Sequence, residues 1–189
     1  PPVSGSKGSG AIFFSRCNMG CVYCQNYEFS QLSKGREYTF DELAGLMLKL
    51  QGLGCHNINL VTPTHVLPQI LLSLELAISQ GLKIPLVYNT GGYELVEIIK
   101  LLDGIVDIYL PDMRYADSAV SQKLSKAYDY PEYNQEAVKE MHRQVGELKI
   151  DEHGLAKRGV LVRHLVMPGG LAGTREVMRW IARELSPTT

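Results

Sequence analysis

The chain lacks several things, and each lack removes a class of function. It has no excess charge of either sign: 19 basic residues stand against 20 acidic ones, for a net charge of −1. The basic residues are scattered, so nucleic acid and membrane surfaces are not expected partners. Long apolar runs are missing too. The longest candidate, HVLPQILLSLELAISQG (65–81), is broken by Pro68, Ser73, Glu75 and Ser79, so no segment reads as membrane-spanning. No charged n-region and apolar h-region open the chain, which points to the cytoplasm and not to secretion. Internal repeats and low-complexity tracts are absent as well. A length of 189 residues suits one well-buried domain and is too short for two comfortable ones.

Cysteine is scarce but concentrated. There are four, and three of them, Cys17, Cys21 and Cys24, fall within RCNMGCVYCQN (16–26). Bridging any two in so short a loop would be strained and would leave a third unpaired. A reducing compartment and a metal or cluster site fit better. Iron–sulfur cubanes normally take four thiolates, and the spacing C-x3-C-x2-C lets three wrap three corners while one iron stays without a protein ligand. Structural zinc favours paired C-x2–4-C motifs completed by further Cys or His. Cys55 is expected at the mouth of the second strand, out of reach of the loop, as a small buried hydrophobe. From the residues alone, a reactive cluster, an electron-transfer cluster and structural zinc all stay open.

Apolar periodicity alternates between short β-rich runs and longer helical ones. Strands are expected at GAIFFSR (10–16), NINLVTP (57–63), IPLVYNT (84–90), VDIYLPDM (106–113) and GVLVRHLVMPG (159–169). Helices are expected through ELAGLMLKLQGLG, capped by Thr39 or Asp41, and at PQILLSLELAISQG, YELVEIIKLLDG (93–104), DSAVSQKLSKA (117–127), NQEAVKEMHRQVG (134–146) and TREVMRWIARELS (174–186). ELKIDEHGLAKR (147–158) reads as an inserted hairpin. AYDYPEYN, with Tyr128, Tyr130 and Tyr133, reads as a packed surface loop, His142 and His153 as surface residues, and His56 as a loop residue. Successive βα units imply a parallel sheet with right-handed crossovers. A full barrel needs about 250 residues, so the α/β fold is either an open partial barrel or a doubly wound sheet. Either architecture gathers function at the C-terminal strand ends. Residues 1–9 read as a linker or loop and 10–189 as the domain. A start without Met and an end at ARELSPTT suggest a piece of a longer protein.

The cysteine loop resembles the signature of the radical S-adenosylmethionine (SAM) superfamily, C-x3-C-x-aromatic-C, with Tyr23 as the aromatic. The resemblance covers about residues 10 to 186. It implies a truncated TIM-like barrel of five to six parallel strands, lacking the final strand. It also implies a [4Fe–4S] cluster on Cys17, Cys21 and Cys24, with SAM bound at the open iron and cleaved reductively to a 5′-deoxyadenosyl radical. No catalytic residue beyond the cluster ligands is implied.

Within that superfamily the chain looks closest to the pyruvate formate-lyase-activating enzymes and their relatives. Cys24-Gln25-Asn26 resembles their Cys-His-Asn, and Asn89-Thr90-Gly91-Gly92 their Asp-Thr-Asn-Gly. Leu110-Pro111-Asp112-Met113-Arg114 is similar to their Leu-Asp-x-Lys region, and Arg163-His164-Leu165-Val166-Met167-Pro168-Gly169 to their Arg-Tyr-Val-Val-Val-Pro-Gly. Where the family has Gly-Gly-Glu, this chain has Pro63-Thr64-His65. The resemblance implies that Arg114 and Arg163 hold the SAM carboxylate, a role that suits a planar guanidinium. Asn89, Thr90 and Asp112 would line the methionine end or a nearby cation, backbone groups around Thr64 and His65 would approach its amino group, and Tyr23 and Asn26 would shape the loop. It further implies an electron donor such as flavodoxin or ferredoxin, and a glycyl radical enzyme as protein substrate. Two other readings remain: a non-catalytic iron–sulfur or zinc module that docks a partner, and a radical enzyme acting on a small molecule.

Overall fold

The computed structural model describes residues 2–186, so Pro1 of the expected N-terminal loop and residues 187–189 of the expected domain lie outside the described residues. The alternation of β-rich and helical runs folds into one sheet. It holds β1 (Gly10–Phe13), β2 (Ile58–Val61), β3 (Leu86–Thr90), β4 (Ile108–Pro111), a two-residue β5 (Lys149–Ile150) and β6 (Ala156–Val160). The order is β1-β2-β3-β4-β6-β5, parallel throughout except for β5 at the edge. Between and after the strands run α1 (Tyr27–Ser30), α2 (Phe40–Gly52), α3 (Leu67–Ser79), α4 (Val96–Lys100), α5 (Ser118–Ser125), α6 (Tyr130–Val145) and α7 (Thr174–Glu184).

Side-chain alternation along the strands decides the architecture. Ile58 and Leu60 of β2, Leu86 and Tyr88 of β3 and Tyr109 of β4 enter one core together with residues of α2, α3, α4, α6 and α7. Val87, Ile108 and Leu110 point the other way and meet Val3 and Ala156. Because successive strand residues face opposite sides, all five helices lie on one face. A doubly wound sheet carries helices on both. The fold is therefore the partial barrel, with a helix-covered outer face and a concave inner one.

Local chemistry explains the helix boundaries. Thr39 closes a capping box at the start of α2: the Glu42 N–H donates to Thr39 Oγ1 at 3.2 Å and the Thr39 N–H to Glu42 Oε2 at 2.8 Å. Leu43, Ala44 and Met47 then bury one side of α2, while Ile70, Leu74 and Ala77 do the same for α3, in the helical period. The first turn of α7 leads Val177, Trp180 and Ile181 into the core in the same way.

Six expectations are corrected. The 147–158 hairpin forms, but its second arm is β6 itself, because the Asp151 carboxylate accepts the His153 and Leu155 N–H groups at 2.9 Å each and sets the turn. Regular pairing in β6 ends at Val160; beyond it Arg163 makes an isolated parallel bridge with Asp112. AYDYPEYN is not a surface loop throughout: Tyr130 is fully buried and opens α6, with Pro131 in the first turn, where a missing N–H costs nothing. Residues 93–95 stay out of α4. Cys55 is half-buried and outside the core clusters, and the His142 side chain is half-buried with Nε2 enclosed.

Thr39→Ala removes one arm of the capping box. Thermal or denaturant unfolding is expected to show a loss of about 1 kcal/mol, with the sheet signal in circular dichroism unchanged.

Candidate functional site

The parallel strands all end at one edge, and the cysteine loop is fastened there by backbone bonds before any side chain acts. Arg16 takes a left-handed turn (φ 72°) directly after β1. Its N–H donates to Phe29 O at 2.8 Å, and the Gly20 and Val22 N–H groups donate to Ser125 O and Leu124 O at 2.8 and 2.9 Å. Asn18 Nδ2 reaches Tyr93 O at 2.7 Å, and Gln31 Nε2 reaches Met19 O at 3.0 Å. Met19 rests on Gly91, where a Cβ would come within 2.8 Å of its Sδ. The loop is thus clamped between α5 and the end of β3.

Each candidate thiol has a donor or a hydroxyl beside it. Buried Cys21 Sγ accepts from Arg114 Nη1 at 2.8 Å and from Ser125 Oγ at 3.0 Å. Cys17 Sγ accepts from the Met19 N–H at 3.4 Å, and Cys24 Sγ shares a hydrogen bond with Ser30 Oγ at 3.1 Å. Burial pushes the Cys17 thiol up; the Met19 N–H and the Arg114 charge oppose this, while Cys21 and Cys24 add to it. Cys55 precedes β2, whereas the loop follows β1, so the fourth cysteine lies at the opposite end of the parallel sheet. Among the described residues no group of three or more His, Cys, Asp or Glu side chains is arranged to hold a single metal ion. The loop therefore offers three thiols and no fourth, a donor set that suits a cluster with one open position better than a closed zinc site.

Four expected residues converge on the concave face. Asp112, 14% exposed, accepts from Arg114 Nε at 3.0 Å and from Arg163 Nε at 2.9 Å. A further bond joins Arg114 Nη2 to Asp112, and Arg163 Nη2 donates to Asn89 Oδ1 at 2.8 Å. The chain of contacts runs Cys21–Arg114–Asp112–Arg163–Asn89 and spans the ends of β3, β4 and the residues after β6. Arg114 is engaged on all three nitrogens, whereas the Arg163 side chain is 46% exposed. Nearby on the concave face, Asn59 Oδ1 is buried without a partner.

Other expected residues have different neighbours. Tyr23 bonds to the Tyr115 hydroxyl, His65 Nε2 meets Ser15 O at 2.6 Å, and the Asn26 carbonyl accepts the Phe29 and Ser30 N–H groups at 3.0 and 2.8 Å. The side chains of Thr64 and Thr90 turn to the helix face, where both hydroxyls donate to Glu94 Oε1.

Sequence reasoning missed Glu94, Tyr130 and Asn134. The Tyr130 hydroxyl lies 2.8 and 2.9 Å from Gly91 O and Asp112 O, and Asn134 Nδ2 donates to Gly92 O and Asp112 O at 3.0 and 2.9 Å. Gly92 has φ +75°, and a Cβ there would fall 2.3 Å from Asp112 O, so only glycine fits. A clue to Tyr130 and Asn134 was available in their i, i+4 spacing behind Pro131.

Glu94 is 2% exposed, and burial raises its carboxyl to about 7 despite the two threonine hydroxyls. Its free-chain value is 4.5, so the folded protein holds a proton that the unfolded chain releases across pH 4.5 to 7. Stability therefore falls as pH rises through that window, and the full penalty persists above it. Glu94→Gln removes the penalty. Relative to wild type, the variant is expected to gain on the order of 2–3 kcal/mol at pH 8 and little at pH 4.5, read from parallel urea titrations.

Comparison with known proteins agrees with this geometry. The Radical SAM superfamily profile matches residues 11–181. The uncharacterized protein MJ0674 of Methanocaldococcus jannaschii is 32% identical over 187 residues, which are 94% of this chain and 50% of that one. Methylornithine synthase (PylB) superposes with a TM-score of 0.58 at 14% identity, covering 92% of this chain and 50% of its own. Native anSMEcpe with bound AdoMet gives 0.60 at 14% identity, covering 90% and 48%. The chain spans about half the length of each. The superfamily uses a [4Fe–4S] cluster and SAM. With its partial barrel, three-cysteine loop and matching profile, this chain belongs to the radical SAM superfamily.

Proposed function

We propose that the protein reductively cleaves SAM at a [4Fe–4S] cluster held by Cys17, Cys21 and Cys24. The observation that carries this reading is the direct contact from Cys21 through Arg114 to Asp112, which joins the thiol loop to a charged concave face. When bound, a cluster with one iron free of protein thiolate supplies the electron that breaks the SAM sulfonium and releases a 5′-deoxyadenosyl radical.

The chain's own residues divide the remaining work. Arg114 and Ser125 donate to Cys21 and fix one thiolate corner, while Ser30 and the Met19 N–H steady the other two. Arg163 is the more open guanidinium and the better candidate to grip a ligand carboxylate; Arg114 serves chiefly to hold Asp112 and the loop. Asn89 and Asp112 orient Arg163, and the Asn59 amide oxygen is available to a ligand donor. Tyr23, anchored on Tyr115, keeps the aromatic step of the loop packed against buried Tyr130 and Met167 in a second core. His65 pins the turn after β2 to Ser15, so the Pro63-Thr64-His65 segment is ordered without the family's glycines.

Glycyl-radical activation, with flavodoxin or ferredoxin as electron donor, is the narrower form of the proposal. It rests on the motif resemblance at Asn89-Thr90-Gly91-Gly92 and Arg163 to Gly169. Pairing the protein with a candidate glycyl radical enzyme and looking for the glycyl doublet in electron paramagnetic resonance tests it.

The broader reading has a direct assay. Anaerobically reconstituted protein reduced with dithionite is expected to convert SAM to 5′-deoxyadenosine and methionine; reduced, cluster-loaded protein that yields neither contradicts the proposal. Cys17→Ser is expected to lose the visible cluster absorbance and Cys55→Ser to keep it. Equal loss in both would place Cys55 among the ligands.

A further inference from the structure

The same β3 edge that orients Asn89 toward Arg163 turns Thr90 to the opposite side, where the side chains border a second space open to solvent at its rim. Successive strand residues face opposite ways, so this space lies behind the sheet, among the helices. It is a cavity of about 490 Å³ between α3 and α4. Leu71 and Leu101 contribute to its apolar walls, and Asn18, Thr64, Tyr93 and Glu94 lie at its polar end. That size is in the range of small-molecule sites, and so is an apolar wall with a few converging polar atoms.

The polar end has a defined sign. Glu94 Oε1 is occupied by the Thr64 and Thr90 hydroxyls, while Glu94 Oε2 is buried without a partner. Burial and those two hydroxyls act on this carboxyl, its charge reaches the buried Tyr88 hydroxyl, which also lacks a partner, and among the described residues no basic side chain joins them. A buried carboxyl oxygen without a partner is costly, and a ligand that donates to it recovers that cost. Asn18 commits its Nδ2 to Tyr93 O at 2.7 Å, and its Oδ1 accepts from the Cys17 thiol at 3.7 Å. Glu94 Oε2 is therefore the group at this end that asks for a donor.

We propose that this cavity is a second ligand site, separate from the concave face, that binds a primary amine with an apolar aliphatic or aromatic body. The ammonium meets Glu94 Oε2 and the body lies between Leu71 and Leu101. Because Asn18 adjoins Cys17 in the loop, an occupant touches the segment that carries the candidate cluster ligands. The site does not depend on SAM cleavage, and its test needs no turnover.

The test is calorimetric titration of the full-length protein at pH 8 with 4-phenylbutylamine and with 4-phenylbutan-1-ol. The amine is expected to bind saturably at one site and at least tenfold more tightly than the alcohol. Glu94→Gln is expected to bring the two affinities within about twofold, since it keeps the shape and removes the charge. Leu101→Trp, at the exposed rim, is expected to weaken both at least fivefold, with circular dichroism melts confirming that each variant folds. No saturable amine binding by the wild type overturns the proposal, as does an amine preference that survives Glu94→Gln or affinities untouched by Leu101→Trp.

Discussion

The site depends on one carboxylate. Asp112 closes β4 at the concave face and divides its oxygens between two arginines, Arg114 on Oδ2 and Arg163 on Oδ1. An ionised carboxylate taken this far from water is tolerable only when paired, and removing a partner from such a pair costs about 3 kcal/mol. Each arginine passes the constraint outward. Arg114 reaches Cys21 in the loop after β1, and Arg163 reaches Asn89 at the end of β3. The Asp112 backbone is held as well, by Tyr130 and Asn134 from the first turns of α6. Three strand ends, one helix and the cysteine loop are thus positioned by the surroundings of a single residue.

β3 separates two chemistries by one residue step. Asn89 belongs to a charged, partly open face where the Arg163 guanidinium is half exposed while Arg114 is engaged on every nitrogen. Thr90 belongs to a closed, helix-covered side where Glu94 sits among hydroxyls with a carboxyl near neutrality. The Glu94 contact also explains the turn after β2. With Thr64 tied to Glu94 and His65 to Ser15, Pro63-Thr64-His65 is fixed from both sides of the sheet. An acidic side chain is present beside this turn after all, supplied from the segment after β3.

Much of this was legible in the sequence. The succession of strands and helices, the capped start of α2 and the isolation of Cys55 follow from apolar period, cap chemistry and parallel topology. The spacing of the three-cysteine loop narrowed the site to a cluster or a metal, and only its resemblance to the radical SAM signature chose among them. What stayed hidden depends on contacts across long separations. Glu94 reads as an ordinary helix-start acid until the fold brings Thr64 and Thr90 onto the same oxygen. Tyr130 reads as a surface aromatic because its burial is decided by the carbonyls of Gly91 and Asp112, both remote in sequence. The resemblance gives Arg114 a ligand carboxylate; the ion pair with Asp112, two residues away, is a local contact, whereas the Arg114 bond to Cys21 crosses the fold and shows only in the structure.

The central claim is that three thiolates leave one metal corner open toward the Asp112 network. Electron paramagnetic resonance of the anaerobically reconstituted, reduced protein tests it most directly. A [4Fe–4S]⁺ signal that shifts on addition of SAM is the predicted result. Stoichiometric zinc in place of a cluster, or a cubane signal that SAM leaves unmoved, would contradict the account.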